Sequence, residues 1–170
     1  MNSSIIGKIE KARRYAQEPE RIRITALNAT FHGSNDDYAL SLGEGGWHCS
    51  CHTYAQFGSC AHIMAAQRLL GPMLPEAARY EATIWRVDPG SSIIGKLEKA
   101  RRYADEPERI AIATLASTFR GSNDNHPLSL GVEGWGCTCL FYEQSDSCAH
   151  VMAAQRLLAP MLPASARYES

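Results

Sequence analysis

The chain has 170 residues, 45% of them hydrophobic and 21% charged, and its 17 basic and 18 acidic side chains give a formal charge of -1. This composition excludes collagen-like, disordered and coiled-coil classes, and the near balance of charge supplies no global field toward polyanions. The longest apolar stretches fall far short of the roughly 18 residues that span a bilayer, so no membrane partner is expected. The opening segment, with Lys8 and Lys11 among Ile5, Ile6 and Ile9, lacks the uninterrupted apolar core of a secretion signal. A cytoplasmic location, where disulfides are rare, is therefore expected.

Self-comparison at an offset of 88 residues shows that the chain is a duplication. SSIIGKIEKARRYAQEPERI from Ser3 to Ile22 returns as SSIIGKLEKARRYADEPERI from Ser91 to Ile110, and about 55 of 80 aligned positions are identical without insertion or deletion. The organisation read from this is repeat one over residues 3–82, a linker over 83–90 and repeat two over 91–170. A repeat of about 80 residues holds only a small core, for which a metal staple is useful. The linker ends in the turn-forming Asp88, Pro89 and Gly90. Its Trp85 is either a packing residue between the repeats or part of an exposed extended segment.

In chain order, Ser3 or Ser4 is expected to cap a helix with Ile5, Ile6, Ile9, Ala12 and Ala16 on its apolar side and Lys8, Lys11 and Arg14 opposite. Glu18, Pro19 and Glu20 end it. Arg21 to Phe31 alternates and then changes phase, which predicts a strand with a bulge or bend. Gly33 to Asp37 is turn chemistry. Tyr38–Leu42 and Trp47–Cys51 read as two strands joined across GEGG, with Trp47, Cys49 and Cys51 on one face. Ser59 is expected to cap a helix over Cys60–Leu70, stopped by Gly71 and Pro72 and covered around most of its circumference. A final helical turn is expected within Glu76–Glu81. The fold class is thus α+β: two tandem small units, each a helix, a short antiparallel sheet and a C-terminal helix.

All six cysteines fall in two identical frames, Cys49-x-Cys51 with Cys60-x-His62 and Cys137-x-Cys139 with Cys148-x-His150. Two cysteines separated by one residue on a strand project to the same side. The second pair starts a helix, where unpaired amides favour thiolate. Three sulfurs and an imidazole suit tetrahedral zinc. Disulfides are disfavoured because three cysteines per repeat cannot pair within it, and four protein ligands close the shell that a catalytic zinc would leave open. An iron–sulfur cluster fits such tight pairs less well than zinc.

These frames resemble the SWIM zinc finger family, whose pattern is Cys-x-Cys, a variable gap and Cys-x-His. Trp47 ahead of the first cysteine, LSLG upstream and the helix MAAQRLL after the histidine are similar to the family's strand, strand, helix unit, covering Arg21–Leu70 and Arg109–Leu158. The resemblance implies two zinc ions, one held by Cys49, Cys51, Cys60 and His62 and the other by Cys137, Cys139, Cys148 and His150. It also implies either protein or nucleic-acid partners.

His48 and His52 flank the first pair but are matched by Gly136 and Leu140, so His62, matched by His150, is the better ligand. His32 and His126 read as surface variation. No triad, phosphate-cradling glycine loop or spare cysteine nucleophile appears, so no enzymatic activity is expected. A basic cluster, Lys8, Lys11, Arg13 and Arg14, recurs as Lys96, Lys99, Arg101 and Arg102, but each repeat balances eight basic residues with eight or nine acidic ones. The reading is a zinc-binding protein-interaction adaptor. The alternative is a DNA- or RNA-binding module using the basic helices. The oligomeric state is left open.

Overall fold

A computed structural model describes residues 3–79 and 93–167. The linker over 83–90, with Trp85, lies outside the described residues, as do the side chains of Ser3 and Ser4. Repeat one runs α1 (Ser3–Ala16), β1 (Ile22–His32), β2 (Asp37–Gly43), β3 (Gly46–Cys49), α2 (His52–Phe57) and α3 (Ala61–Leu70). Repeat two runs α4 (Ile93–Ala104), β4 (Ile110–Arg120), β5 (Asn125–Gly131), β6 (Gly134–Cys137), α5 (Leu140–Ser145) and α6 (Ala149–Leu158). Single 3-10 turns at Pro19–Arg21, Gly71–Met73 and Glu76–Ala78 have counterparts in the second half. Among the described residues no helix is long and apolar enough to cross a membrane.

The architecture is α+β, and the two short antiparallel sheets join edge to edge. One six-stranded sheet results, in the order β3-β2-β1-β4-β5-β6. β1 and β4 form its centre as an antiparallel pair, with Ile22 opposite Phe119 and Phe31 opposite Ile110. The register of this pair shifts between Ile24 and Ala26 and again between Asn28 and Ala29, which is the phase change expected from the sequence. The shift keeps Ile22, Ile24, Leu27, Ala29 and Phe31 all buried. Thr25 and Asn28 face away and bond across to the Ala116 carbonyl and the Thr114 hydroxyl. The hairpin between β2 and β3 closes at Gly46 with φ of 93°, a left-handed conformation that a side chain would strain.

The first helix of each repeat packs on the other repeat: α1 against α6, and α4 against α3. The short connection dictates this exchange. Ile22 and Phe31 lie at opposite ends of β1, roughly 30 Å apart at strand rise, and His62 sits beside Phe31. The residues between Tyr15 and Ile22 are too few to cover that distance, even fully extended at about 3.3–3.6 Å each. The chain entering β1 instead emerges beside Phe119 of the other half, and Tyr15 packs there with its ring centroid 5.0 Å from that of Phe119.

Two local expectations are corrected. Lys8 and Lys11 do not sit opposite the packing side: Lys11 lies over the buried Tyr15 ring at 5.6 Å and Lys8 over Phe141 at 5.4 Å. Aliphatic stems lie along apolar surface while ammonium heads meet ring faces, so the face is set by Ala12 and Tyr15, and Ile5 and Ile6 remain half exposed. The cap of α3 is Cys60, not Ser59, because its sulfur accepts the Ile63 amide. The helix itself is covered as expected, with Ala61 through Gln67 all buried.

A fragment of residues 1–82 would present an unpaired β1 edge and would lack the foreign helix over its cysteines. It is expected to form a homodimer that reproduces the central pair and the exchange, measured by light scattering after size exclusion. A folded monomeric fragment would contradict the interlock.

Candidate metal centres

The elements bring the eight residues of the two frames together as two quartets, Cys49–Cys51–Cys60–His62 and Cys137–Cys139–Cys148–His150. Within each, one ligating atom per residue lies within 4.8 Å of every other. Cys49 closes β3 opposite Leu40. Strand pairing ends there, earlier than the expected Cys51, because Cys51 becomes the cap of α2 and accepts the Tyr54 amide at 3.3 Å. Cys60 then caps α3, and its helix aims His62 back so that Nδ1 faces Cys49 Sγ at 3.7 Å. The second half repeats this geometry, with His150 Nδ1 at 3.7 Å from Cys137 Sγ.

Sequence reasoning missed the short helix between the cysteine pairs. Its signal was the residue that ends it: Gly58 with φ of 72° in one half, and Asp146 at 55° in the other. Glycine, and to a lesser degree Asp, tolerates the left-handed conformation that stops a helix.

The quartets suit zinc. Bonds of about 2.3 Å to sulfur and about 2.0 Å to nitrogen, at a tetrahedral angle, place S and N roughly 3.5 Å apart, close to the observed 3.7 Å. All six cysteines are free thiols. All four groups of the first quartet are buried, whereas in the second Cys137 is partly exposed. The Tyr54, Ile63 and Val151 amides donate to the Cys51, Cys60 and Cys148 sulfurs. Before metal arrives the proton is unequally shared. The Cys60 thiol donating to Cys49, helped by His62, holds Cys49 well below the ordinary thiol range, while that bond and burial push Cys60 far above it. Cys137 and Cys148 divide in the same way.

Neighbouring side chains brace each quartet. Trp47 Nε1 and Gln67 Nε2 both donate to the Ala78 carbonyl, at 2.8 and 3.0 Å, while the Tyr54 hydroxyl donates to the Trp47 carbonyl at 2.9 Å. Strand, both helices and the C-terminal turn of the repeat are thus tied together. Trp135, Gln155 and Tyr142 make the equivalent bonds to Ala166 and Trp135 carbonyls.

His126 is not surface variation. Its ring stacks on His150 at 4.6 Å, as that of its counterpart Tyr38 stacks on His62 at 4.5 Å. The signal available was position: both lie at the turn end of a strand that alternates into the core. His32 is at the surface, where it pairs with Asp37. His48 is outside the quartet and packs edge-on against Tyr54.

Fold and site define a double zinc finger in which a strand-helix cage is built twice on one sheet. The SWIM zinc finger model matches residues 34–66 and 121–154, and each match contains one of the two quartets. No curated protein and no solved structure matches the chain. Each Cys3His quartet could hold one zinc ion, and zinc binding is the activity these centres support.

Elemental analysis is expected to return two zinc ions per chain. Uptake must displace the proton held on Cys60 and on Cys148, so adding zinc to the metal-free protein should release protons into weakly buffered solution. Chelation should alter the emission of Trp47 and Trp135, and unchanged emission with metal removed would contradict a folding role for it.

Proposed function

We propose that the chain is a non-enzymatic adaptor in which zinc, held by Cys49, Cys51, Cys60 and His62 and by Cys137, Cys139, Cys148 and His150, stiffens two fingers that present protein-binding surface. Four protein ligands per ion leave no position for a substrate or an activated water. The zinc here has a structural task.

The observation that carries the adaptor reading is an exposed element, the helix between the cysteine pairs, that differs between the repeats at four of its six positions. The helix between the cysteine pairs reads HTYAQF in one half and LFYEQS in the other. In the second half it exposes Leu140 at 70% and Phe141 at 58%. Lys8 reaches over Phe141 and donates to the Ser145 hydroxyl at 3.0 Å. Contiguous exposed apolar side chains of this kind mark contact surfaces on soluble domains.

The nucleic-acid reading is weakened by the same contacts. Lys8, Lys11, Lys96 and Lys99 rest over rings of their own protein. Arg21 and Arg109 pair with Glu18 and Glu106. Arg13, Arg14, Arg101 and Arg102 stay exposed for phosphate, and binding through them would fall steeply with added salt.

The test is a double substitution, Leu140→Ser with Phe141→Ser. Zinc content should remain at two ions, while affinity for a protein partner recovered by the native chain should drop on the order of tenfold or more. Undiminished capture, or tight salt-sensitive binding of DNA or RNA by the native protein, would overturn the adaptor reading.

A further inference from the structure

We propose that Tyr103 and Tyr15 are positioning residues for the metal ligands of the opposite repeat: Tyr103, on α4 of repeat two, holds the His62 imidazole, and Tyr15, on α1 of repeat one, holds that of His150. The inference rests on the zinc-ligand reading above. It adds that neither cage is completed by its own repeat.

His62 is surrounded by rings. Tyr38 stacks on it at 4.5 Å and Phe31 lies tilted at 4.7 Å, both from its own repeat. Tyr103 arrives from the other repeat with its plane 19° from that of the imidazole and centroids 5.8 Å apart. Tyr103 is buried and is fixed from several sides. Its ring meets the Phe31 edge at 5.0 Å, its hydroxyl shares a hydrogen bond with Ser34 at 3.3 Å, and the Arg109 guanidinium sits over its face at 4.8 Å. Arg109 is held in turn by Glu106 at 2.7 Å and donates to the His32 carbonyl at 2.8 Å. The clasp closes on backbone of the repeat whose cage it covers.

The second half shows the same set. Tyr15 is 16° from parallel to His150 at 5.9 Å, its hydroxyl is 3.1 Å from that of Ser122, and Arg21 lies over its ring at 4.7 Å while donating to the Arg120 carbonyl at 2.8 Å. In both halves the arrangement crosses from one repeat to the cage of the other. Groups behind a ligating imidazole commonly fix its orientation and tune metal affinity. Ring stacking from the neighbouring repeat performs that task here.

The experiment uses the full-length zinc-loaded protein and three variants, Tyr103→Ala, Tyr103→Leu and Tyr103→Phe. Each is challenged with EDTA and N-ethylmaleimide, and the alkylation rate of every cysteine is read by peptide mass spectrometry. In Tyr103→Ala, Cys49, Cys51 and Cys60 should label about tenfold faster than in the native protein, with a smaller change at Cys137, Cys139 and Cys148. Tyr15→Ala should reverse the pattern. Tyr103→Phe keeps the ring and should restore protection. Tyr103→Leu fills volume without a flat face and should not. Equal acceleration at both cages, faster labelling of the variant's own repeat, no change, or rescue by Leu would each overturn the proposal. If native cysteines label at the same rate with and without zinc, the ligand reading itself fails, and the proposal with it.

Discussion

The convergence of four side chains from a strand end and two helix starts is the constraint on which the rest of the structure depends. A repeat of this size has little interior to hold a helix against a sheet, and each cysteine pair belongs to a different structural layer. Joining them across one ion fixes α3 on β3 and α6 on β6. The hydrogen bonds from Trp47, Tyr54 and Gln67 reinforce that junction rather than create it. Without metal, one thiol of each centre is held below the ordinary range and its neighbour above it.

Fusion of the two sheets gives the duplication a structural purpose. Either repeat alone would leave the long, alternating β1 or β4 as an open edge, and such edges invite pairing with other chains. Pairing β1 with β4 closes both edges within one molecule. The outer positions fall to the short β3 and β6, four residues each. The same pairing carries each N-terminal helix to the far half, so sheet formation and coverage of the cages come from one event.

The sequence showed much of this for definite reasons. Self-comparison reveals duplication without any structural assumption, and the cysteine spacing matches the pleat of a strand and the first turn of a helix. The bulge was legible because burial forces a change of phase in the apolar pattern. Helix exchange was not legible, since near-identical first helices give no sign of whether Tyr15 faces His62 or His150; only the shortness of the link before Ile22 decides it. The placement of Lys8 and Lys11 is not legible from charge alone, which implies an outward direction, whereas Tyr15 and Phe141 offer them ring faces. His126 was misread for a related reason. A histidine aligned with a tyrosine reads as drift, although both supply a flat ring to the same imidazole.

Zinc K-edge X-ray absorption on the purified full-length protein tests the central claim most directly. The account predicts an average shell of three sulfurs at about 2.3 Å and one nitrogen at about 2.0–2.1 Å, with no oxygen scatterer. A shell containing water or carboxylate oxygen, or four sulfurs, would contradict two closed Cys3His cages.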